Sequence, residues 1–171
     1  AQEAPGGPVA RMCVFAPSVV RPGEAFSLRL SALDAHGYPS TQCESEAVTT
    51  HRGVTHSRRF SFGNPAVATL EGFSLDNPGF HRIAVALDGV EYPSNPIWCD
   101  ATAQRLFWGD PHVHTVLSDC HPDTCRTPDF CFIAARHVTG LDWVCAADHV
   151  STGRGSAGKW KALRAAAAAF N

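Results

Sequence analysis

Over residues 9–104 apolar and polar positions alternate in short runs, and no segment holds helical periodicity for long. Phe26, Leu28, Leu30 and Ala32 alternate with Ser27, Arg29 and Ser31, the period-two signature of a strand with one buried face. Pro22-Gly23 turns the chain into this segment, and Asp34-Ala35-His36-Gly37 turns it out. A second strand is predicted from Phe80 to Leu87, with His81, Ile83, Val85 and Leu87 on one face. Asp88-Gly89 then suits a tight hairpin turn, because both central positions tolerate positive φ. Further strands are predicted at Met12–Phe15, Val48–Thr50, Phe60–Phe62, Val67–Phe73 and Ile97–Cys99. Asn64-Pro65, Asn77-Pro78-Gly79 and Pro93-Ser94-Asn95-Pro96 punctuate them. About seven strands over this length predict a β-sandwich of immunoglobulin-like kind, preceded by a disordered Pro/Gly-rich terminus at residues 1–8.

From residue 105 the pattern changes to strand, loop, helix, strand. Leu106-Phe107-Trp108 is a continuous apolar run, which predicts a strand covered on both faces and ended by Gly109. Thr127-Pro128-Asp129 predicts a helix start, with Thr as N-cap and Pro at the first helical position. Phe130, Ile133, Ala134 and Val138 form its apolar stripe, and Gly140 closes it. The next strand, Leu141 to Ala147, delivers Asp148 and His149 at its end. In a right-handed strand–helix–strand unit the strands run parallel, so their carboxyl ends share one edge of the sheet. His112, His114 and Asp119 after the first strand would therefore meet Asp148 and His149 after the second. Sheets of this kind place their sites along that edge. Side chains two apart in an extended segment leave from the same face, so His112 and His114 can aim at one point. A divalent metal is the natural occupant, and a catalytic ion takes about three protein ligands plus an open position.

Composition narrows the function classes. The 171 residues are 44% hydrophobic and 18% charged, as in a folded, core-forming protein. Fourteen Lys and Arg against sixteen Asp and Glu give a net charge of −2, which argues against a nucleic-acid partner and a polybasic membrane anchor. Arg58-Arg59 reads as a solvated pair. No apolar run reaches the roughly 20 residues of a membrane span. Ala1 to Pro8 lacks an initiating Met and suits a mature terminus left by signal-peptide removal, so a secreted or periplasmic location is expected. His36, His51, His56 and His81 are too dispersed to form a ligand set, and His121 and His137 read as structural. The seven cysteines leave at least one unpaired within the chain. In an exported protein the simplest bridges join two of Cys13, Cys43 and Cys99, and two of Cys120, Cys125 and Cys131. Free thiols remain the alternative, and the spacing lacks the Cys-x-x-Cys knuckles of structural zinc.

Trp108-Gly109-Asp110-Pro111-His112-Val113-His114-Thr115, then Leu117-Ser118-Asp119, Gly140-Leu141-Asp142-Trp143 and Ala147-Asp148-His149 resemble the opening of the PHP (polymerase and histidinol phosphatase) superfamily. They are most similar to exported members that carry a β-sandwich before the catalytic barrel. The resemblance implies a distorted barrel of seven strand–helix units and up to three divalent ions (Zn, Mn or Fe) serving hydrolysis of a small-molecule phosphoester by metal-activated water. By position, His112 and His114 would hold the first ion, Asp119 and His149 would contribute to another, and Asp110 and Asp148 would orient imidazoles. Pro111, Cys120 and Ala147 stand where Leu, Gly and Thr are usual, and none of these changes removes a ligand. A barrel of that size needs on the order of 200 residues, whereas residues 105–171 suffice for two strand–helix units. The expectation is therefore the amino-terminal part of a longer enzyme, inactive alone, whose barrel is completed by a missing carboxy-terminal portion or by self-association. The alternative is a non-enzymatic binding module, in which the sandwich recognises a ligand and the remainder is a degenerate remnant.

Overall fold

The computed structural model describes residues 6–51, 59–118, 126–149 and 156–171. The chain divides into two compact units, Ala1–Phe107 and Trp108–Asn171. The described residues are mostly β-structure arranged in open sheets, with few helices and no closed barrel.

In the first unit, alternation becomes strands β1 (Arg11–Phe15), β2 (Val19–Val20), β3 (Phe26–Leu33), β4 (Glu46–His51), β5 (Arg59–Ser61), β6 (Val67–Phe73), β7 (Gly79–His81), β8 (Ile83–Leu87), β9 (Val90–Pro93) and β10 (Ile97–Cys99). They form sheets of order β1-β3-β6, β2-β10-β7 and β5-β4-β8-β9, antiparallel except where β2 pairs with β10. Met12, Val14, Leu28, Leu30, Ala47, Ile83, Val85 and Ile97 from all three sheets bury one common apolar cluster. Non-directional burial of such faces is the main favourable term in folding. The alternation at Phe26–Ala32 thus marks a real core face.

The expected strand from Phe80 to Leu87 is in fact two strands in different sheets. The chain crosses over at Arg82, whose Nη1 donates to the Ser94 carbonyl at 2.7 Å while the Ile83 amide donates to Ser94 Oγ at 3.2 Å. His81 therefore does not share the buried face of Ile83, Val85 and Leu87, and its Nε2 lies 2.8 Å from the Asn77 carbonyl instead. The hairpin at Asp88-Gly89 forms as expected, with φ of 50° and 77° and Leu87 opposite Val90. The short β2 and the exposed β9 show no clear alternation and were not anticipated.

Asp34 ties the start of this unit to its core. Its carboxylate accepts backbone N–H bonds from His36 and Tyr38 within its own turn, and from Gly6 and Gly7 across the chain. Residues 6 and 7, expected in a disordered terminus, are thereby pinned. Burial acts to raise the Asp34 pKa, but the four N–H donors outweigh it and hold the pKa below the ordinary 3.8. A depressed folded-state pKa contributes stability that is present above the unfolded value and lost as pH falls through the folded one.

Cys13, Cys43, Cys99, Cys131 and Cys145 carry no disulfide, so the bridge expected among Cys13, Cys43 and Cys99 does not form. Cys99 is sealed in the core with its Sγ toward the Leu75 carbonyl at 3.5 Å, which accounts for its thiol state. Cys131 is likewise unbridged, while Cys120 and Cys125 lie outside the described residues. Burial pushes the Cys13, Cys43 and Cys99 thiols up.

The second unit contains β11 (Gly109–Val113), α1 (Pro128–Ile133), a π-helical turn (Ala134–Val138), β12 (Trp143–Ala146) and α2 (Ser156–Phe170). β11 and β12 pair in parallel, as expected of a strand–helix–strand unit. The first strand, however, starts three residues later than predicted. Leu106, Phe107 and Trp108 are 47%, 65% and 56% exposed and precede it, so the apolar run is not a covered strand. Gly109 opens β11 rather than closing a strand, because a Cβ there would lie 1.9 Å from Cε2 of the Trp143 indole. Thr127 caps α1 through Oγ1, which accepts from the Phe130 amide, and Pro128 takes the first turn. The predicted stripe is rotated: Phe132 and Ala135 are the buried positions. Phe132 packs with Leu163 and Ala166 of α2, and a π-helical turn follows Ile133. Gly140 ends the segment at φ 69°.

Two outcomes test this arrangement. Asp34→Ala strands four amides and should cost about 3 kcal/mol at neutral pH. That deficit should shrink as acid protonates the wild-type carboxylate, and equal urea midpoints for the two proteins at neutral pH would contradict the Asp34 anchor. Alkylation of the native chain at about pH 8 should modify exposed Cys145 first and spare Cys99 until denaturant is added, as read by peptide mass mapping.

Candidate metal centre

The site is built where β11 and β12 end side by side. Asp110 faces Val144 and Val113 faces Ala146, so β11 takes three steps where β12 takes two. This bulge falls at Pro111-His112, where Pro111 has no N–H to give the ladder. Asp110 Oδ1 accepts the His112 amide at 2.9 Å and so fixes the backbone of the bulge. Asp110 was expected to orient an imidazole; the bond described here is instead to the main chain.

His112 and His114 emerge from this bend with their rings stacked, centroids 4.9 Å apart and planes 16° apart, and their Nε2 atoms 2.8 Å from one another. His149 follows the second strand, and its ring meets His114 edge-on at 4.8 Å and 81°. Parallel pairing thus brings together three imidazoles that are up to 37 residues apart in sequence (149 − 112 = 37). Asp119, the remaining proposed ligand, lies outside the described residues, as do Cys120, His121 and Cys125. His137 sits on the π turn.

Two side chains join the segments after the strands. Asp148 Oδ1 accepts the Thr115 amide at 2.6 Å and Asp148 Oδ2 accepts the Thr115 hydroxyl at 2.8 Å. Thr115 Oγ1 in turn accepts the Leu117 amide at 3.2 Å. The Ser118 hydroxyl accepts the His149 amide at 2.8 Å and lies 3.3 Å from His114 Nδ1. Thr115 and Ser118 are both fully buried. Asp148 was expected to orient an imidazole, but these bonds direct both its oxygens to Thr115. Thr115 and Ser118 had no role assigned from sequence. Two small hydroxyl residues within four positions of a histidine pair, in a stretch too short for a helix, were the available signal.

Imidazole donors suit Zn and Fe, whereas Mn prefers added carboxylates. Two nitrogens bound at 2.0–2.1 Å from one tetrahedral ion lie about 3.3 Å apart, so the Nε2 atoms, 2.8 Å apart, need separate by only about half an ångström to take one between them. His112 and His114 therefore fit the start of such a site, and His149 stands beside them. Among the described residues no three His, Cys, Asp or Glu groups form a ready-made ion cage.

No family model and no curated protein matches the chain. Among solved structures it is similar to a superoxide reductase (neelaredoxin) from Ignicoccus hospitalis, at 14% identity over 54% of this chain and 82% of that one, with a TM-score of 0.36. A carbohydrate acetylesterase from Xanthomonas citri shares 7% identity over 75% of this chain, at a TM-score of 0.35. A DUF4784 family protein from Bacteroides caccae shares 9% identity over 58%, at a TM-score of 0.23. The chain spans only 37% and 26% of the length of the latter two. Likenesses this loose carry neither fold nor function across.

Asp148→Ala should cost the second unit about 2 kcal/mol by stranding the buried Thr115 amide, and should accelerate hydrogen exchange at that amide. Unchanged Thr115 protection would show that Asp148 does not hold the loop.

Proposed function

We propose that the second unit is the amino-terminal part of a metal-dependent hydrolase of PHP type, acting on a small-molecule phosphoester in the context of a longer chain or a completed assembly. The observation that carries this is the convergence of the His112, His114 and His149 rings at the ends of two parallel strands. His112 and His114 would hold the first ion through Nε2, and Asp119 and His149 would serve another. A bound divalent ion supplies Lewis acidity and activates water near neutral pH. The chain's own contribution is positional. The Pro111 bulge presents the two imidazoles on one side, Asp148 fixes the Thr115 turn between the strand ends, and Asp110 holds the His112 backbone. An immunoglobulin-like sandwich, a barrel start and an exported location belong to the same proposal, supported by motif resemblance. No described helix is long and apolar enough to cross a membrane.

A second reading, a recognition module, is favoured by one feature of the first unit. Phe80 and Trp98 are 80% and 42% exposed and stack across β7 and β10 at 6.2 Å with planes 21° apart. Exposed aromatic pairs of this kind are common contact points for ligands.

Elemental analysis separates the two. Protein purified without chelators should carry Zn, Mn or Fe in stoichiometric amount, and a His112→Ala, His114→Ala double variant should lose it while keeping its circular dichroism. Absence of metal from the wild type after incubation with each ion would refute the hydrolase reading.

A further inference from the structure

The Ser118 hydroxyl touches both halves of the site at once. Its oxygen accepts the backbone amide of His149, from the segment after β12, at 2.8 Å, and sits 3.3 Å from Nδ1 of His114, from the segment after β11. It is 1% exposed, so neither contact competes with bulk water. Directly after His114, Thr115 is clamped by Asp148 at 2.6 and 2.8 Å. The short stretch from His114 to Ser118 is thus fastened to the residues after β12 at both of its ends.

We propose that Ser118 is a positioning residue for the metal centre: by engaging His114 at Nδ1 and His149 at its amide, it reserves His114 Nε2 for the ion and sets the spacing of the two rings. An imidazole has two nitrogens, and the one held by a neighbouring group determines which remains to face a ligand. With Nδ1–H donating to the Ser118 oxygen, Nε2 keeps its lone pair, and Nε2 is the atom that lies 2.8 Å from His112 Nε2. If Ser118 were absent, the His114 ring would lose one of the contacts that fix its rotation, the one at Nδ1, and His149 would lose the bond from its amide to the same loop. The two rings meet edge-on at 4.8 Å, so loosening either one changes the distance between donors. The inference rests on the metal reading for its purpose, although the contacts themselves do not.

The test uses the full chain stripped of metal, with Zn²⁺ alone as the titrant and calorimetry as the readout. Ser118→Ala should bind Zn²⁺ roughly 10–100-fold more weakly than wild type, the usual loss on removing an outer group that orients a ligand. Imidazole ¹⁵N spectra supply the readout that a merely structural role would not move. In the Zn²⁺-loaded wild type His114 should coordinate through Nε2, and in metal-free Ser118→Ala the His114 Nδ1 signal should shift while that of His112 does not. Equal affinity of wild type and Ser118→Ala, or coordination of His114 through Nδ1, overturns the proposal. The wild-type spectrum alone keeps it falsifiable if Ser118→Ala does not fold. If the wild type binds no Zn²⁺, the hydrolase reading fails, and the metal-free spectra decide the role of Ser118 separately: an unmoved His114 Nδ1 signal in the variant overturns it.

Discussion

The bond on which the site depends is the paired contact of the Asp148 carboxylate with the amide and hydroxyl of Thr115. It joins the segments that leave two neighbouring parallel strands, and together with the bond from the His149 amide to Ser118 Oγ it fixes their mutual position beyond the ladder. A charged acceptor bonded to buried donors is among the stronger polar contacts a protein can make, and leaving the donors unmet is costly. Thr115 is completely buried, so this cost is felt in full. The histidines on either side inherit their placement from it: His114 precedes Thr115 directly, and His149 follows Asp148 directly.

The same economy governs the bulge in β11. Pro111 cannot donate to the ladder, and the strand answers by taking an extra residue against β12. Asp110 then closes the bend by accepting the His112 amide. The result is two stacked rings whose Nε2 atoms are already in contact. Such contact between two bases is unfavourable unless they share a proton or a cation, which gives the arrangement its chemical interest.

Much of this was legible in the sequence because its signals are local. Period-two alternation marked β3, the Asp88-Gly89 turn follows from tolerance of positive φ, and Thr127-Pro128 announced α1 through capping chemistry. The misplaced signals depend on what lies across from a residue. Leu106-Phe107-Trp108 looked like a covered strand, but pairing starts only at Gly109, where the Trp143 ring demands a missing Cβ. Arg82 ends one strand and lets the next begin in another sheet because of bonds to Ser94, which no periodicity reveals. The convergence of His112, His114 and His149 followed from parallel topology. The employment of Asp148 by Thr115, and of Ser118 by two histidines, did not, since side-chain bonds between segments some 30 residues apart leave no pattern along the chain.

The central claim is that the two adjoining imidazoles form the first half of a metal site. Anomalous diffraction at the zinc absorption edge, from crystals of the wild-type chain grown with Zn²⁺, tests it most directly. The account predicts a peak within about 2.0–2.1 Å of Nε2 of both His112 and His114. An ordered pair of rings with no anomalous peak between them, or zinc bound only elsewhere on the chain, would contradict it.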